Sequence, residues 1–291
     1  MEDDYEKWIY YLSQSSSWST ESEVRTAFET YLTAYPWDAS RWSNFAMDLY
    51  RVTGSVDKSI DVFTTATTRL AYCPAVWCDF LTYVVDTHAK LDFEQMVHTA
   101  VMPLCGHPDA GEFWKLAFCL LRANGNLIFL LEHFYLVLSC PSPYLSDLYD
   151  LYKDLSDTVI VAEDSVEARG FNRVLGEDTH RVRHLMTSMR GLYEGSVTAW
   201  SSRVHFEGLV KRREYCHSAL PTAEVDAWHD YLTFEQQQSG WCLRDRSSEI
   251  VASAEGELGA KLEELVQVIE RNRMVRLFER CLLPCALYPG Q

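Results

Sequence analysis

Few residues of this 291-residue chain have types and spacing that suggest chemistry. Cys281 and Cys285 stand four apart, and Cys216-His217 offers a second pair, so four zinc ligands exist in principle. Across the two pairs the spacing is not a standard zinc motif, and Cys281 lies in an apolar helical stripe, where a thiol reads as packing. His205 and Glu207 flank Phe206 as an acid/base pair would, but residues two apart do not share a helical face. His88, His98, His107 and His133 are isolated, and there is no glycine-rich phosphate loop or nucleophile elbow. The residues therefore nominate no catalytic group, metal site or cofactor, and no enzyme activity is expected. One basic cluster remains, Lys211-Arg212-Arg213, followed by Tyr215 and His217. It reads either as the solvated flank of a helix or as a contact for an anion or acidic partner, and Arg212, Arg213, Tyr215 and His217 are the candidate partner-binding residues.

Composition narrows the class of partner. Hydrophobic residues make up 47% of the chain and aromatics 13%, enough to bury a sizeable core. A formal net charge of −16 repels phosphate backbones, so RNA contact is expected to be indirect. Nine cysteines, an odd set scattered through apolar segments, and an N-terminus without a signal-peptide pattern suggest a reducing nucleocytoplasmic compartment. No stretch approaches the roughly 18 uninterrupted apolar residues of a membrane span; Leu127 to Leu138 is broken by Glu132 and His133.

The elements that must position these residues are repeated. Trp8-Tyr11-Leu12, Trp42-Phe45-Ala46, Trp77-Phe80-Leu81, Trp114-Ala117-Phe118 and Trp228-Tyr231-Leu232 are i, i+3, i+4 triplets that stack on one helical face. The first intervals are 42−8=34, 77−42=35 and 114−77=37, the length of a two-helix solenoid unit. Each early unit reads as helix A, a polar or glycine break, helix B, then a proline: Pro36, Pro74, Pro108 and Pro141. Thr20 with Glu23 forms a capping box, Gly54-Ser55 and Asn124-Gly125-Asn126 are turns, and Asp92 with Gln95 caps the third helix B. A fifth helix A follows through Tyr144, Leu148 and Tyr152.

The spacing predicts an all-α fold, a right-handed alpha-alpha superhelix of stacked helical hairpins. It divides into a lobe over residues 1–156, an acidic irregular connection over 157–181, and continuing repeat helices over 182–291 with a flexible insertion at 239–259. Trp8, Trp42, Phe45, Phe63, Trp77, Phe80, Trp114, Trp228, Tyr231 and Phe278 are the expected repeat core, because a lone helix pair cannot bury its apolar face and must stack. Trp18, Trp37 and Trp241 lie outside the pattern and are the better interaction candidates.

Tryptophan and aromatics in helix A, with alanine, an aromatic and a terminal proline in helix B, resemble the half-a-tetratricopeptide (HAT) repeat of RNA-processing proteins. Within that class three segments are similar to the pre-mRNA-processing factor 39 family: Arg203 to Glu207 (RVHFE) with Arg213 to His217, then Trp228 to Glu235 (WHDYLTFE), then Phe278 to Tyr288 (FERCLLPCALY). Where the family has Tyr-Phe-His, this chain has Tyr215-Cys216-His217. The resemblance implies a nuclear, non-catalytic scaffold of the U1 small nuclear ribonucleoprotein, bridging its proteins and splicing factors when the 5′ splice site is recognised. Pairing with a second copy or a related subunit would require a C-terminal lobe beyond Tyr288. An adaptor of another RNA-processing complex, such as messenger RNA 3′-end cleavage, is the alternative, and an unrecognised hydrolase the third reading.

Overall fold

A computed structural model describes residues 2–125, 127–161, 179–238, 264, 268–269 and 272–285. The regular structure among the described residues is helical throughout: α1 (Glu2–Ser13), a 3-10 turn (Ser15–Ser17), α2 (Glu21–Ala34), α3 (Ala39–Thr53), α4 (Val56–Arg69), α5 (Pro74–Asp86), α6 (Phe93–Leu104), α7 (Gly111–Asn124), α8 (Leu127–Leu138), α9 (Leu145–Val161), α10 (Thr179–Ser201), α11 (Val204–Leu209), α12 (Thr222–Gln237) and α13 (Arg273–Cys285). The fold is all-α, with helical-hairpin repeats.

Local signals place the early boundaries. The Thr20 hydroxyl accepts from the Glu23 N–H at 3.3 Å while the Glu23 carboxylate accepts from the Thr20 N–H at 2.9 Å, closing the capping box of α2. Asp38, Ser55 and Asp92 cap α3, α4 and α6 through their side chains. Gly54 and Gly125 end α3 and α7 at φ 65° and 78°, in the left-handed region that a Cβ disfavours. Pro74 does more than end a unit: it sits in the first turn of α5, where its missing N–H costs nothing.

The chain forms two compact units that do not follow chain order. One comprises 1–91, 209–229 and 277–291; the other comprises 92–208 and 230–276. The expected segmentation at 156 and 182 therefore does not coincide with the contacts. Helix α9 continues to Val161 and α10 begins at Thr179, so the ends of the expected irregular connection are helical. Residues 162–178 and the expected insertion at 239–259 lie outside the described residues. The continuing helices open with one long helix, α10, followed by the short α11.

In the first unit, α3 packs against α2, α4 and α5. Phe28 of α2 stacks on Phe45 of α3, centroids 5.3 Å apart, and Phe63 of α4 stacks on Phe80 of α5 at 5.2 Å. Both partners advance by 35 residues (63−28 and 80−45), so one contact is made twice: helix B of one repeat against helix A of the next. The tryptophans hold the turns. Trp42 donates its indole N–H to Pro36 O at 2.9 Å, and Trp77 donates to Ala71 O at 2.8 Å, each six residues back.

In the second unit, α8 is the central helix, packed by α6, α7, α9 and α10. Leu130 to Cys140 are buried without a break, including Glu132 and His133, as expected of a helix apolar on all sides. Trp114 is fully buried, but its indole N–H finds no hydrogen-bond partner. The connection explains this: the tryptophan follows the end of helix B by eight positions at Trp42 (42−34) and Trp77 (77−69), but by ten at Trp114 (114−104). Across the outer face, Lys115 pairs with Asp147 at 2.7 Å and Arg122 with Asp154 at 2.6 Å, both 32 residues apart.

Candidate interaction surface

The candidate partner-binding residues lie in the coil between α11 and α12. Gly208 weakens the end of α11 and Pro221 cannot continue a helix through its missing N–H, so the chain between them leaves the helix. Val210 and Leu220 are buried and anchor its two ends. Arg212 closes the coil on itself: its guanidinium donates to Ser218 O at 2.7 Å and Ala219 O at 3.2 Å, and its N–H donates to the Glu224 carboxylate at 3.1 Å. Arg213 reaches Val210 O at 3.5 Å.

Tyr215 and His217 lie against the first repeat, within the same compact unit. The His217 ring stacks on Tyr5 at 4.2 Å and 6° and meets Tyr35 edge-on at 5.7 Å, while Tyr215 lies 6.1 Å from Trp37. Beneath them, the Tyr31 hydroxyl donates to Asp38 Oδ2 at 2.7 Å, and Asp38 Oδ1 accepts from Ser40 Oγ at 2.8 Å and the Arg41 N–H at 3.3 Å. Burial, and then the Asp38 carboxylate, push the Tyr5 and Tyr31 phenols up. Burial first, then the neighbouring phenols of Tyr5 and Tyr35 and the Asp38 carboxylate, push Tyr215 to about 12. The Tyr215 hydroxyl and His217 Nδ1 are buried without a hydrogen-bond partner. Hydrogen bonds from the Ser218 hydroxyl and backbone hold the Cys216 thiol below its usual range. Trp37 is 40% exposed and leaves an aromatic face open beside Tyr215.

The remaining nominated residues separate. Trp42, Phe45, Phe63, Trp77, Phe80, Trp114, Trp228 and Tyr231 are buried, and Trp8 is half-buried. Phe278 is a correction: it is 43% exposed. On α13 the residues Val275, Phe278 and Leu282 follow one helical stripe, and Leu277, Arg280 and Pro284 follow another at the same spacing. The second faces inward, with the Arg280 guanidinium 5.2 Å from the Trp228 ring centroid. Trp18, taken as an interaction candidate, is buried against Phe28 with centroids 6.0 Å apart, and its carbonyl accepts from Arg51 at 3.1 Å. Trp241 lies outside the described residues.

Sequence reasoning missed a buried polar network in the second unit that joins the RVHFE and WHDYLTFE segments. Arg203 holds Glu235 through two nitrogens, at 2.6 and 3.0 Å, with both side chains nearly inaccessible. Its third nitrogen donates to Ala199 O at 2.6 Å. Arg273 adds a second guanidinium to Glu235 at 2.7 Å, and the Tyr231 hydroxyl donates to Glu207 at 2.9 Å. Phe206 stacks on Tyr231 at 5.2 Å and lies 4.7 Å from Phe234. The available signal was a pair of i, i+4 polar couples, Arg203 with Glu207 and Tyr231 with Glu235, flanking aromatic residues. The couples engage across the helices rather than along them.

That arrangement is structural. Glu207 is buried on Tyr231 whereas His205 is exposed, so the two do not act together. Among the described residues no group of three or more His, Cys, Asp and Glu converges to hold a metal, and Cys281 and Cys285 stand 3.8 Å apart on one helix. Among the same residues no helix is long and apolar enough to cross a membrane.

The profile described as the PRP39 N-terminal HAT repeat matches residues 1–154, just over half the chain. The chain belongs to the PRP39 HAT-repeat family. It is similar to pre-mRNA-processing factor 39 of Xenopus laevis, 20% identical with 98% of this chain and 45% of that protein aligned. The proteins of the same name from Danio rerio and Homo sapiens are also 20% identical, with 98% of this chain aligned to 40% and 44% of theirs. The chain thus spans less than half the length of these PRP39 relatives. The matched residues 1–154 cover α1 to α8 and most of α9, the part of the chain where the tryptophan period is regular.

Proposed function

We propose that the chain is a non-catalytic scaffold of the U1 small nuclear ribonucleoprotein, acting in the nucleus in pre-mRNA splicing when the 5′ splice site is recognised. The observation that carries this reading is the PRP39 HAT profile over 1–154, together with alignment of nearly the whole chain to pre-mRNA-processing factor 39. Two physical features support it. The aromatic residues of the early repeats are mostly spent on packing one helix pair against the next, which builds a frame for protein contacts. The net charge of −16 favours basic or RNA-bound proteins over bare RNA as partners.

In this reading the coil from Arg212 to His217 presents the partner surface, with different roles for its residues. Trp37 and Arg213 offer accessible groups and Tyr215 only part of its ring, while Arg212 and His217 fix the coil to itself and to Tyr5. Affinity purification of the chain from nuclear extract, followed by identification of co-purifying RNA, tests the proposal. U1 RNA should be enriched; recovery of 3′-end cleavage factors without U1 RNA would reject it. Arg213→Glu should weaken recovery of the partner proteins while leaving the helical circular dichroism unchanged. Arg212 is unsuitable for this test because its loss opens the coil.

A further inference from the structure

Cys105 and Cys140 end two successive helix-B segments, the first at the C-cap of α6 and the second just beyond α8. Both are buried, and their sulfurs stand 3.0 Å apart. Cys105 Sγ also lies 3.1 Å from Leu136 O. Gly106 makes the approach feasible: at φ 75°, a Cβ there would sit 3.1 Å from Cys140 Cβ. The two residues are 140−105=35 apart, one repeat length, so a bond between them would link equivalent points of neighbouring repeats. Closing to a bonded distance of about 2 Å needs roughly 1 Å of movement, within reach of side-chain torsions.

We propose that Cys105 and Cys140 form an oxidisable dithiol, a reversible modification site that locks adjacent repeats when a peroxide reaches it. This goes beyond the scaffold reading and does not depend on it. Burial holds Cys105 in its thiol form, whereas the hydrogen bond from Cys105 favours the thiolate of Cys140. Cys140 is therefore the attacking sulfur. Its thiolate takes one oxygen from hydrogen peroxide, giving a sulfenic acid and hydroxide, which takes up a proton to become water. Cys105 then attacks the sulfenic sulfur, loses its proton and expels the second water. The sum is two thiols and one peroxide giving one disulfide and two waters, with the sulfurs oxidised by two electrons and the peroxide reduced by two. An external dithiol reverses the bond by exchange. Because both sulfurs are buried, oxidation proceeds through local opening at the α6 and α8 ends.

The test treats the full chain with hydrogen peroxide, alkylates the remaining thiols after unfolding, and maps the peptides by mass spectrometry. The expected result is loss of two alkylatable thiols at Cys105 and Cys140, a cross-linked peptide lighter by two hydrogens, and recovery of both thiols with dithiothreitol. Both residues remaining alkylatable after the exposed Cys119 has been consumed would overturn the proposal. So would separate overoxidation of either residue without the cross-link. In Cys105→Ser, whose hydroxyl keeps a donor beside Cys140 but cannot close the disulfide, Cys140 should accumulate as a sulfenic acid trapped by dimedone. In Cys140→Ala, Cys105 should not, and equal trapping in the two variants would overturn the assigned order. The wild-type map needs no variant, so it decides the matter even if either substitution unfolds the protein.

Discussion

Both compact units stack aromatic rings between neighbouring helices, and the second adds a buried ion-pair network to them. In the first, Phe28 on Phe45 and Phe63 on Phe80 repeat one stacked aromatic contact at a 35-residue interval. In the second, α11, α12 and the start of α13 meet around Glu235, gripped by Arg203 and Arg273, with Glu207 bonded to Tyr231 beside it. Stacked rings tolerate substitution by another apolar group of similar volume, because the gain is area and dispersion. A buried carboxylate between two guanidiniums tolerates much less: removing one member leaves the others desolvated and uncompensated. The difference teaches that the aromatic layers set how repeats stack, whereas the charged layer fixes which segments may meet.

Glu235→Ala should break the comparison most sharply. It strands the buried Arg203 and the half-buried Arg273, and should cost toward the upper end of about 3–5 kcal/mol in urea denaturation. A cost close to that of an exposed side chain would mean water already reaches the network. Phe63→Ala should cost about 3–4 kcal/mol and Phe63→Leu under about 1.5, a gradation with no counterpart at Glu235. Equal costs for the two Phe63 variants would remove the stacked-layer account.

Thr20→Ala should cost about 1 kcal/mol by opening the cap of α2, and should leave the second unit's hydrogen-exchange protection unchanged. The smallest effect concerns pH. The Tyr215 phenol is raised in the folded state to about 12. Its contribution is therefore fully present below the ordinary tyrosine range near pH 10 and is lost as pH rises through about 12. Absorbance titration should show several late-ionising phenols, Tyr5 and Tyr31 among them, with one fewer ionising near pH 12 in Tyr215→Phe. An unchanged titration curve in that variant would place the phenol ionising near pH 12 elsewhere.

How much of this was legible in the sequence follows from the same contrast. Trp42, Trp77 and Trp114 announced their helices through i, i+3, i+4 spacing, and Thr20 with Glu23 announced a cap, because these signals depend only on neighbours along one helix. Phe278 misled because α13 carries two stripes of equal spacing, and the inward one contains Arg280, a residue type that ordinarily marks the solvent face. The Arg203–Glu235 pair was hidden for the same reason: its partners lie 32 residues apart, and charge in a sequence does not tell whether it is solvated. The nominated coil was legible as basic and aromatic, but not in its division of labour. Arg212 satisfies carbonyls of its own loop, and nothing local to Arg212 distinguishes it from Arg213.

The indole bonds of Trp42 and Trp77 act as a ruler on the elbows between hairpins, since each spans six residues from ring to carbonyl. Adding or deleting a residue within either elbow would carry the carbonyl out of reach and retilt the helix that follows it. The elbow before Trp114 is two residues longer and carries no such bond, so evolutionary or engineered changes of loop length should be absorbed there and rejected at the other two.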